Sequence, residues 1–86
     1  MSEKIIKIKV KLFAVYQETF GKPELELNFA QPISVGDLLS SLIKQKPQLQ
    51  KWQNITRFGV NLKFVDSNTL LKDGDEVVLI PPVSGG

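Results

Sequence analysis

The residues best suited to chemistry lie at the C-terminal end of the chain, in residues 81–86, which read PPVSGG. Prolines have a fixed φ angle and no backbone N–H group, so a diproline cannot continue a β ladder. We expect it to direct the chain away from the domain as an extended arm of about 20 Å. The arm consists of Pro81, Pro82, Val83, Ser84, Gly85 and Gly86. Its last three residues are slim enough for a narrow channel, so the sequence predicts that the carboxylate of Gly86 is the reacting group.

The composition excludes several other kinds of chemistry. The 86 residues include no His and no Cys, which removes the usual general base, the thiolate nucleophile and the ligands of a zinc site. Eleven basic and nine acidic residues give a net charge of +2, which is not the strongly basic pattern of nucleic-acid binding. We therefore expect neither a His- or Cys-dependent hydrolase nor a nucleic-acid partner.

Two acidic features are weak candidates for a site. Residues 73–76, with the sequence DGDE, lack the length and ligand spacing of a calcium loop, and we interpret them as a turn. Glu18 is an acid or base without a visible partner. We expect no metal site.

The sequence also predicts a cytoplasmic protein without membrane contact. The longest apolar run, residues 77–80, is far shorter than the roughly 20 residues of a membrane helix. The first residues, MSEK, lack the apolar stretch of a secretory signal peptide.

Hydrophobic periodicity predicts strands on both sides of one helix. Apolar residues alternate in residues 4–13, 24–29, 57–62 and 76–80, with a short extra strand at 63–65. In residues 34–46 the period changes to that of an amphipathic helix, with Ser34 as N-cap and Pro47 as its end. Residues 14–23 are expected to be a connection, and Leu49, Trp52 and Ile55, at a spacing of three, predict a short helical turn over residues 49–55.

This order of elements predicts an α+β fold of the β-grasp, or ubiquitin-like, class: a mixed sheet with one main helix packed across one face. If the first and last strands pair at the centre of the sheet, the arm leaves from its middle. We accordingly divide the chain into a β-grasp domain, residues 1–80, and an extended tail, residues 81–86.

Three stretches carry a resemblance to a known family. They are KLFAVYQETFG (11–21), VN (60–61) and LLKDGDEVVLIPPVSGG (70–86). With these the chain resembles, over nearly its whole length, the MoaD-type sulfur carrier, the small subunit of molybdopterin synthase, in the MoaD/ThiS ubiquitin-like family. Tyr16-Gln17-Glu18 departs from the family's more usual Arg-Glu.

The resemblance implies that the chain is a sulfur donor rather than a catalyst. An E1-like activating enzyme of the MoeB type would use ATP to adenylate Gly86, and a sulfur donor would convert it to a thiocarboxylate. The sulfur would pass to precursor Z, a cyclic pyranopterin monophosphate, in molybdenum cofactor biosynthesis. Catalytic residues are expected on a large, MoaE-like subunit within a heterotetramer, and no cofactor is expected to bind this chain.

The partner surface is predicted from side-chain parity and from the resemblance. Phe13 is out of phase with the inward residues of the first strand, so it should point away from the helix. Phe13, Phe64 and Ile80 match the family's hydrophobic contacts with the large subunit, although Phe64 could instead belong to the core. Lys7, Lys9 and Lys11 form a stripe that is either a solvated strand face or a docking surface for an acidic partner.

Several alternatives share the same arm. The chain could carry sulfur for thiamine synthesis or for tRNA thiolation. It could also be a ubiquitin-like modifier joined through Gly86 to lysines of other proteins. A third alternative is a β-grasp binding module whose tail has no role.

Overall fold

The computed structural model describes residues 5–82 and shows five strands and one main helix. The elements, in chain order, are β1 (Ile6–Leu12), α1 (Val15–Phe20), β2 (Glu24–Phe29), α2 (Val35–Gln45), a 3₁₀ segment (Pro47–Ile55), β3 (Arg57–Val60), β4 (Lys63–Val65) and β5 (Glu76–Ile80). The predicted strands, the main helix and the helical segment after it are confirmed.

The five strands form one mixed sheet in the order β2-β1-β5-β3-β4. β1 and β5 run parallel, with Lys9 opposite Glu76 and Leu12 opposite Leu79, and the other neighbouring pairs are antiparallel. The β-grasp prediction is therefore confirmed. Because β5 is the central strand, its C-terminal end lies between β1 and β3, in the middle of the sheet.

Helix α2 forms where the sequence gives it both a start and an apolar stripe. The Oγ of Ser34 accepts the backbone N–H of Asp37 at 3.1 Å, as an N-cap should. Pro47 follows the helix and opens the 3₁₀ segment. The residues that α2 buries are Val35, Leu38, Leu39, Leu42 and Ile43. They pack against the inward side chains of the sheet in a single core.

The core joins every layer of the fold. Its fully buried side chains are Ile8, Val10, Leu12, Tyr16, Val35, Leu38, Leu39, Leu42, Leu49, Leu71, Val77 and Leu79. The inward face of β1, with its period of two, supplies three of them. Tyr16 and Leu49 come from the short helical segments, so both segments contribute side chains to the core.

The connection predicted for residues 14–23 is wrong in part, because it contains helix α1. The helix begins after Ala14 and ends at Gly21, which has a left-handed φ of 71°. It is only six residues long and has too few positions to show a helical period in the sequence. Its formation depends on the burial of Tyr16, which is a tertiary contact.

The strand predicted for residues 57–62, with Leu62 on the same face as Phe58 and Val60, is also wrong in part. β3 ends at Val60, which pairs directly with Lys63, so Asn61 and Leu62 are the two residues of a hairpin turn. Their φ angles are 50° and 72°, as a type I′ turn requires. The turn interrupts the strand parity, and Leu62 is 92% exposed.

Candidate functional site

The arm begins at the central strand of the sheet. Ile80 ends β5, Pro81 is buried and Pro82 is exposed. The predicted reacting group on Gly86, with Val83, Ser84 and Gly85, lies outside the described residues. The end of the sheet from which the arm starts lies within the described residues, and the residues around it form the candidate site.

The residues of β5 divide between the two faces of the sheet. Val77 and Leu79 are fully buried against the helix side. Val78 and Ile80 alternate with them and point to the opposite, outer face, where both are partly exposed. The outer face thus carries two apolar side chains directly beside the start of the arm.

Phe13 and Phe64 add to the same outer face. Phe13 is 48% exposed and lies one residue past the Leu12–Leu79 pair, at the level of Ile80. Phe64 is 76% exposed and faces outward on β4, so the alternative that it belongs to the core is wrong. The three predicted contact residues, Phe13, Phe64 and Ile80, thus share the outer face.

Phe64 and Ile80 line a shallow apolar hollow. Its volume is about 190 Å³, and its other lining residues are Gly59, Leu62, Lys63 and Val78. Gly59 lies between Phe64 and Val78 in the sheet register, so the hollow lies where a side chain is missing from the outer face. Sequence reasoning missed both Gly59 and Leu62, although a glycine inside a strand is a known signal of close approach.

The other half of the outer face is charged. Lys9 lies between Glu26 on β2 and Glu76 on β5, and Lys11 lies opposite Glu24. The Nζ of Lys11 is 3.7 Å from the Oε2 of Glu76. Each of these lysines therefore has acidic neighbours within the sheet, which favours the interpretation of the stripe as a solvated strand face.

The acidic residues near the start of β5 form a turn, as predicted. Gly74 has a φ of 89°. The carboxylate of Asp75 accepts the backbone N–H of Lys72 at 2.7 Å and the side-chain amide of Asn61 at 2.9 Å. Asn61 in turn accepts the backbone N–H of Glu76 at 3.0 Å. The turn is thus tied to the β3–β4 hairpin, and residues 5–82 contain no cluster of three or more acidic side chains placed to hold a metal ion.

A buried series of hydrogen bonds holds α1 in place on the opposite side of the sheet. The hydroxyl of Tyr16 bonds to the Oγ1 of Thr56, which donates to the backbone carbonyl of Trp52 at 2.8 Å. Burial raises the pKa of Tyr16, and the hydrogen bond with Thr56 opposes that rise in part. The chain of bonds links α1 to the 3₁₀ segment and so holds the turn that presents Phe13.

Within residues 5–82, none of the helices has the length and apolar character needed to cross a bilayer.

Comparison with known proteins identifies the family. The profile of the ThiS family matches residues 10–86, which include the whole arm. The chain belongs to the ThiS family. It is 36% identical over 83 residues to the molybdopterin synthase sulfur carrier subunit of Chlamydomonas reinhardtii, with 94% of this chain and all of that protein covered. The corresponding subunit of Mycobacterium tuberculosis is 32% identical, with coverages of 95% and 100%. The resemblance to MoaD-type sulfur carriers is therefore confirmed.

Solved structures agree on the fold. A putative molybdopterin converting factor subunit 1 from Pyrococcus furiosus is 29% identical with a TM-score of 0.77, covering 91% of this chain and 99% of that one. Small archaeal modifier protein 1 from Methanosarcina acetivorans is 33% identical with a TM-score of 0.75, covering 96% and 99%. A complex of subunits 1 and 2 of the molybdopterin-converting factor from Helicobacter pylori contains a chain that is 26% identical, with a TM-score of 0.62 and coverages of 94% and 100%.

Proposed function

We propose that this chain is the sulfur carrier subunit of a molybdopterin synthase and that Gly86 carries the sulfur. The observation that carries the proposal is the match to such subunits over their full length. The family match extends through Gly86, so it includes the arm. The position of Pro81 and Pro82 at the end of the central strand supports the same reading, because the arm starts from a rigid platform.

In this proposal the chain is a co-substrate of its partner enzymes. The Gly86 carboxylate attacks the α-phosphorus of ATP on an E1-like activating enzyme, and pyrophosphate leaves. Sulfide from a sulfur donor then attacks the acyl carbon, AMP departs as the leaving group, and a thiocarboxylate is formed on Gly86. The thiocarboxylate sulfur then forms a bond to the cyclic pyranopterin precursor. Water cleaves the bond between that sulfur and the acyl carbon, which leaves the sulfur on the pterin and restores the Gly86 carboxylate. We accordingly expect the carrier to act in the cytoplasm, without a bound cofactor.

The described residues near the arm suit this passive role. Phe13 and Ile80, which flank its start, are apolar, and Arg57 lies opposite Ile80 in the sheet. In this proposal the general acids and bases for both steps come from the enzymes that receive the arm. The carrier contributes the length of the arm, the small residues at its end and the sheet from which it starts.

The large subunit of the synthase is the proposed partner of the outer face. Phe13, Phe64 and Ile80 present apolar area there, as protein interfaces commonly do. The solved complex of subunits 1 and 2 from Helicobacter pylori contains a chain with this fold. We propose a heterotetramer in which each carrier places its arm in the active site of a large subunit.

The test is intact-protein mass spectrometry after incubation with ATP, an activating enzyme and a sulfide source. We expect a mass gain equal to one sulfur replacing one oxygen, mapped to Gly86. A Gly86 deletion and a variant with one residue added after Gly86 should both fail to gain it. No gain in the native chain, with an activating enzyme that loads another carrier, would contradict the proposal.

A second candidate function is favoured by one observation, the 33% identity to a small archaeal modifier protein. A modifier and a carrier share the adenylate of Gly86 and differ in the acceptor, which is an amine for the modifier. Immunoblots of cells that express a tagged chain would show high-mass conjugates if Gly86 is joined to lysines. Such conjugates, lost on deletion of Gly86, would support the modifier function.

A further inference from the structure

The glycine at position 59 is not required by the fold. Its φ angle is not in the left-handed region, and a Cβ atom there would lie 3.7 Å from both the Cβ of Val78 and the backbone oxygen of Lys63. These are ordinary van der Waals distances, so the strand accommodates a Cβ atom at this position. The structural effect of Gly59 is the hollow of about 190 Å³ that it leaves on the outer face.

Leu62, at the rim of that hollow, is unfavourable in two ways. A left-handed backbone costs a residue with a Cβ atom roughly 1–2 kcal/mol, and the second position of a type I′ turn is usually glycine. Asn61 suits its place in the turn, whereas Leu62 has a φ of 72° and exposes 92% of its surface. No contact within residues 5–82 covers this side chain enough to offset those costs, which points to a contact outside the chain.

We propose that the hollow above Gly59 is a socket for one apolar side chain of the subunit that accepts the arm, and that Leu62 closes over that side chain. The inference rests on the proposed function. Ile80 forms one wall of the hollow and leads directly into Pro81 and Pro82. A subunit that holds the first residues of the arm therefore lies beside this wall.

The size and polarity of the hollow fit one apolar group. An apolar cavity of about 150 Å³ accommodates a benzene ring, and this hollow is slightly larger. Phe64 and Val78 stand on either side of Gly59, and Leu62 adds a third apolar wall. We expect the occupant to be a phenylalanine, leucine or methionine side chain.

The first test is isothermal titration calorimetry of the full chain with the purified large subunit. Gly59→Val fills the hollow with a side chain that favours strands. We expect it to raise Kd at least tenfold while the thermal midpoint stays the same or rises. Leu62→Asn should raise the thermal midpoint, because asparagine tolerates the left-handed turn, and should also raise Kd.

Leu70→Asn is the matched control for Leu62→Asn. Leu70 is another exposed leucine, but it lies outside the hollow, so its substitution should leave Kd unchanged. Unchanged Kd for both Gly59→Val and Leu62→Asn would overturn the socket. If Phe13→Asp still weakens binding in that case, the proposed docking face stands without the socket. If it does not, the proposed docking face is wrong as well.

Discussion

At the scale of single residues, the backbone of Ala14 is unusual. Its φ and ψ angles are 52° and −122°, and the N–H of Tyr16 donates to the carbonyl of Phe13 at 3.1 Å. This is the first central position of a type II′ turn, which glycine normally occupies. The turn ends β1, leaves Phe13 on the outer face and begins α1. An alanine there stores backbone strain beside the proposed docking face.

Ala14→Gly is expected to stabilise the domain. The substitution removes strain of roughly 1–3 kcal/mol and loses about 0.5–1 kcal/mol through the freer unfolded chain. A net gain of about 1 kcal/mol raises the thermal midpoint by roughly 4–8 °C in a domain of this size. Calorimetric melting measures it. Gly74→Ala, at a φ of 89° in open space, is the opposite control and should lower the midpoint. A lower midpoint for Ala14→Gly would show that Ala14 is unstrained.

The buried hydroxyl of Tyr16 gives the fold a dependence on alkaline pH. Burial raises the pKa of Tyr16 in the folded state, whereas the unfolded value is about 10. Stability is therefore fully present below about pH 10 and falls as the pH rises through the folded pKa, by up to about 1.4 kcal/mol per pH unit. Tyr16→Phe should lack this decline and should cost about 1 kcal/mol at neutral pH, through the lost bond to Thr56.

Urea unfolding of both proteins between pH 8 and pH 11 provides the measurement. The two proteins share every other ionisable group, so the difference between the two curves isolates Tyr16. Curves that stay parallel above pH 10 would mean that Tyr16 ionises equally in the folded and unfolded states.

At the scale of elements, the long periodic segments could be predicted, whereas helix α1 and the turn that follows β3 could not. β1 and α2 each bury one face, and their periods of two and 3.6 are visible in the sequence. α1 has six residues and depends on a bond from Tyr16 to Thr56, 40 positions away. The predicted position of Leu62 is wrong because side chains alternate between the two faces only within a strand. β3 ends at Val60, which pairs with Lys63 across the turn.

The candidate site shows the same division. The outward position of Phe13 followed from the alternation of β1. That of Phe64 did not, because β4 has three residues and too little alternation to define a face. The hollow above Gly59 depends on which strands lie beside it, and that is a property of the sheet order rather than of any local pattern.

A charged residue introduced on the outer face of the sheet tests whether this face binds the large subunit. Phe13→Asp should weaken the complex with the large subunit at least tenfold, because the interface would have to desolvate a carboxylate. Ile80→Asp should act in the same direction. Circular dichroism checks that each variant is folded, and calorimetry measures the affinity. Asn28→Asp, in the charged half of the same face, is the control. Unchanged affinity for Phe13→Asp would rule out this docking face.

At the scale of the whole molecule, the outer face has two halves with different character. The apolar half, with Phe64, Val78 and Ile80, adjoins the start of the arm. The charged half, with Lys9 and Glu26, lies on β1 and β2 and extends to Glu76 at the start of β5. A partner that covers the apolar half therefore lies beside the start of the arm. The same surface of the sheet would thus contact the partner and adjoin the residues from which the arm starts.

The central position of β5 also has a mechanical consequence. β5 is hydrogen-bonded to β1 on one side and to β3 on the other. A force applied to the arm along the strand therefore loads two ladders in shear, and their bonds must break together. An edge strand pulled from its end would instead peel away one bond at a time. We therefore expect the domain to stay folded when an enzyme binds the arm and pulls on it.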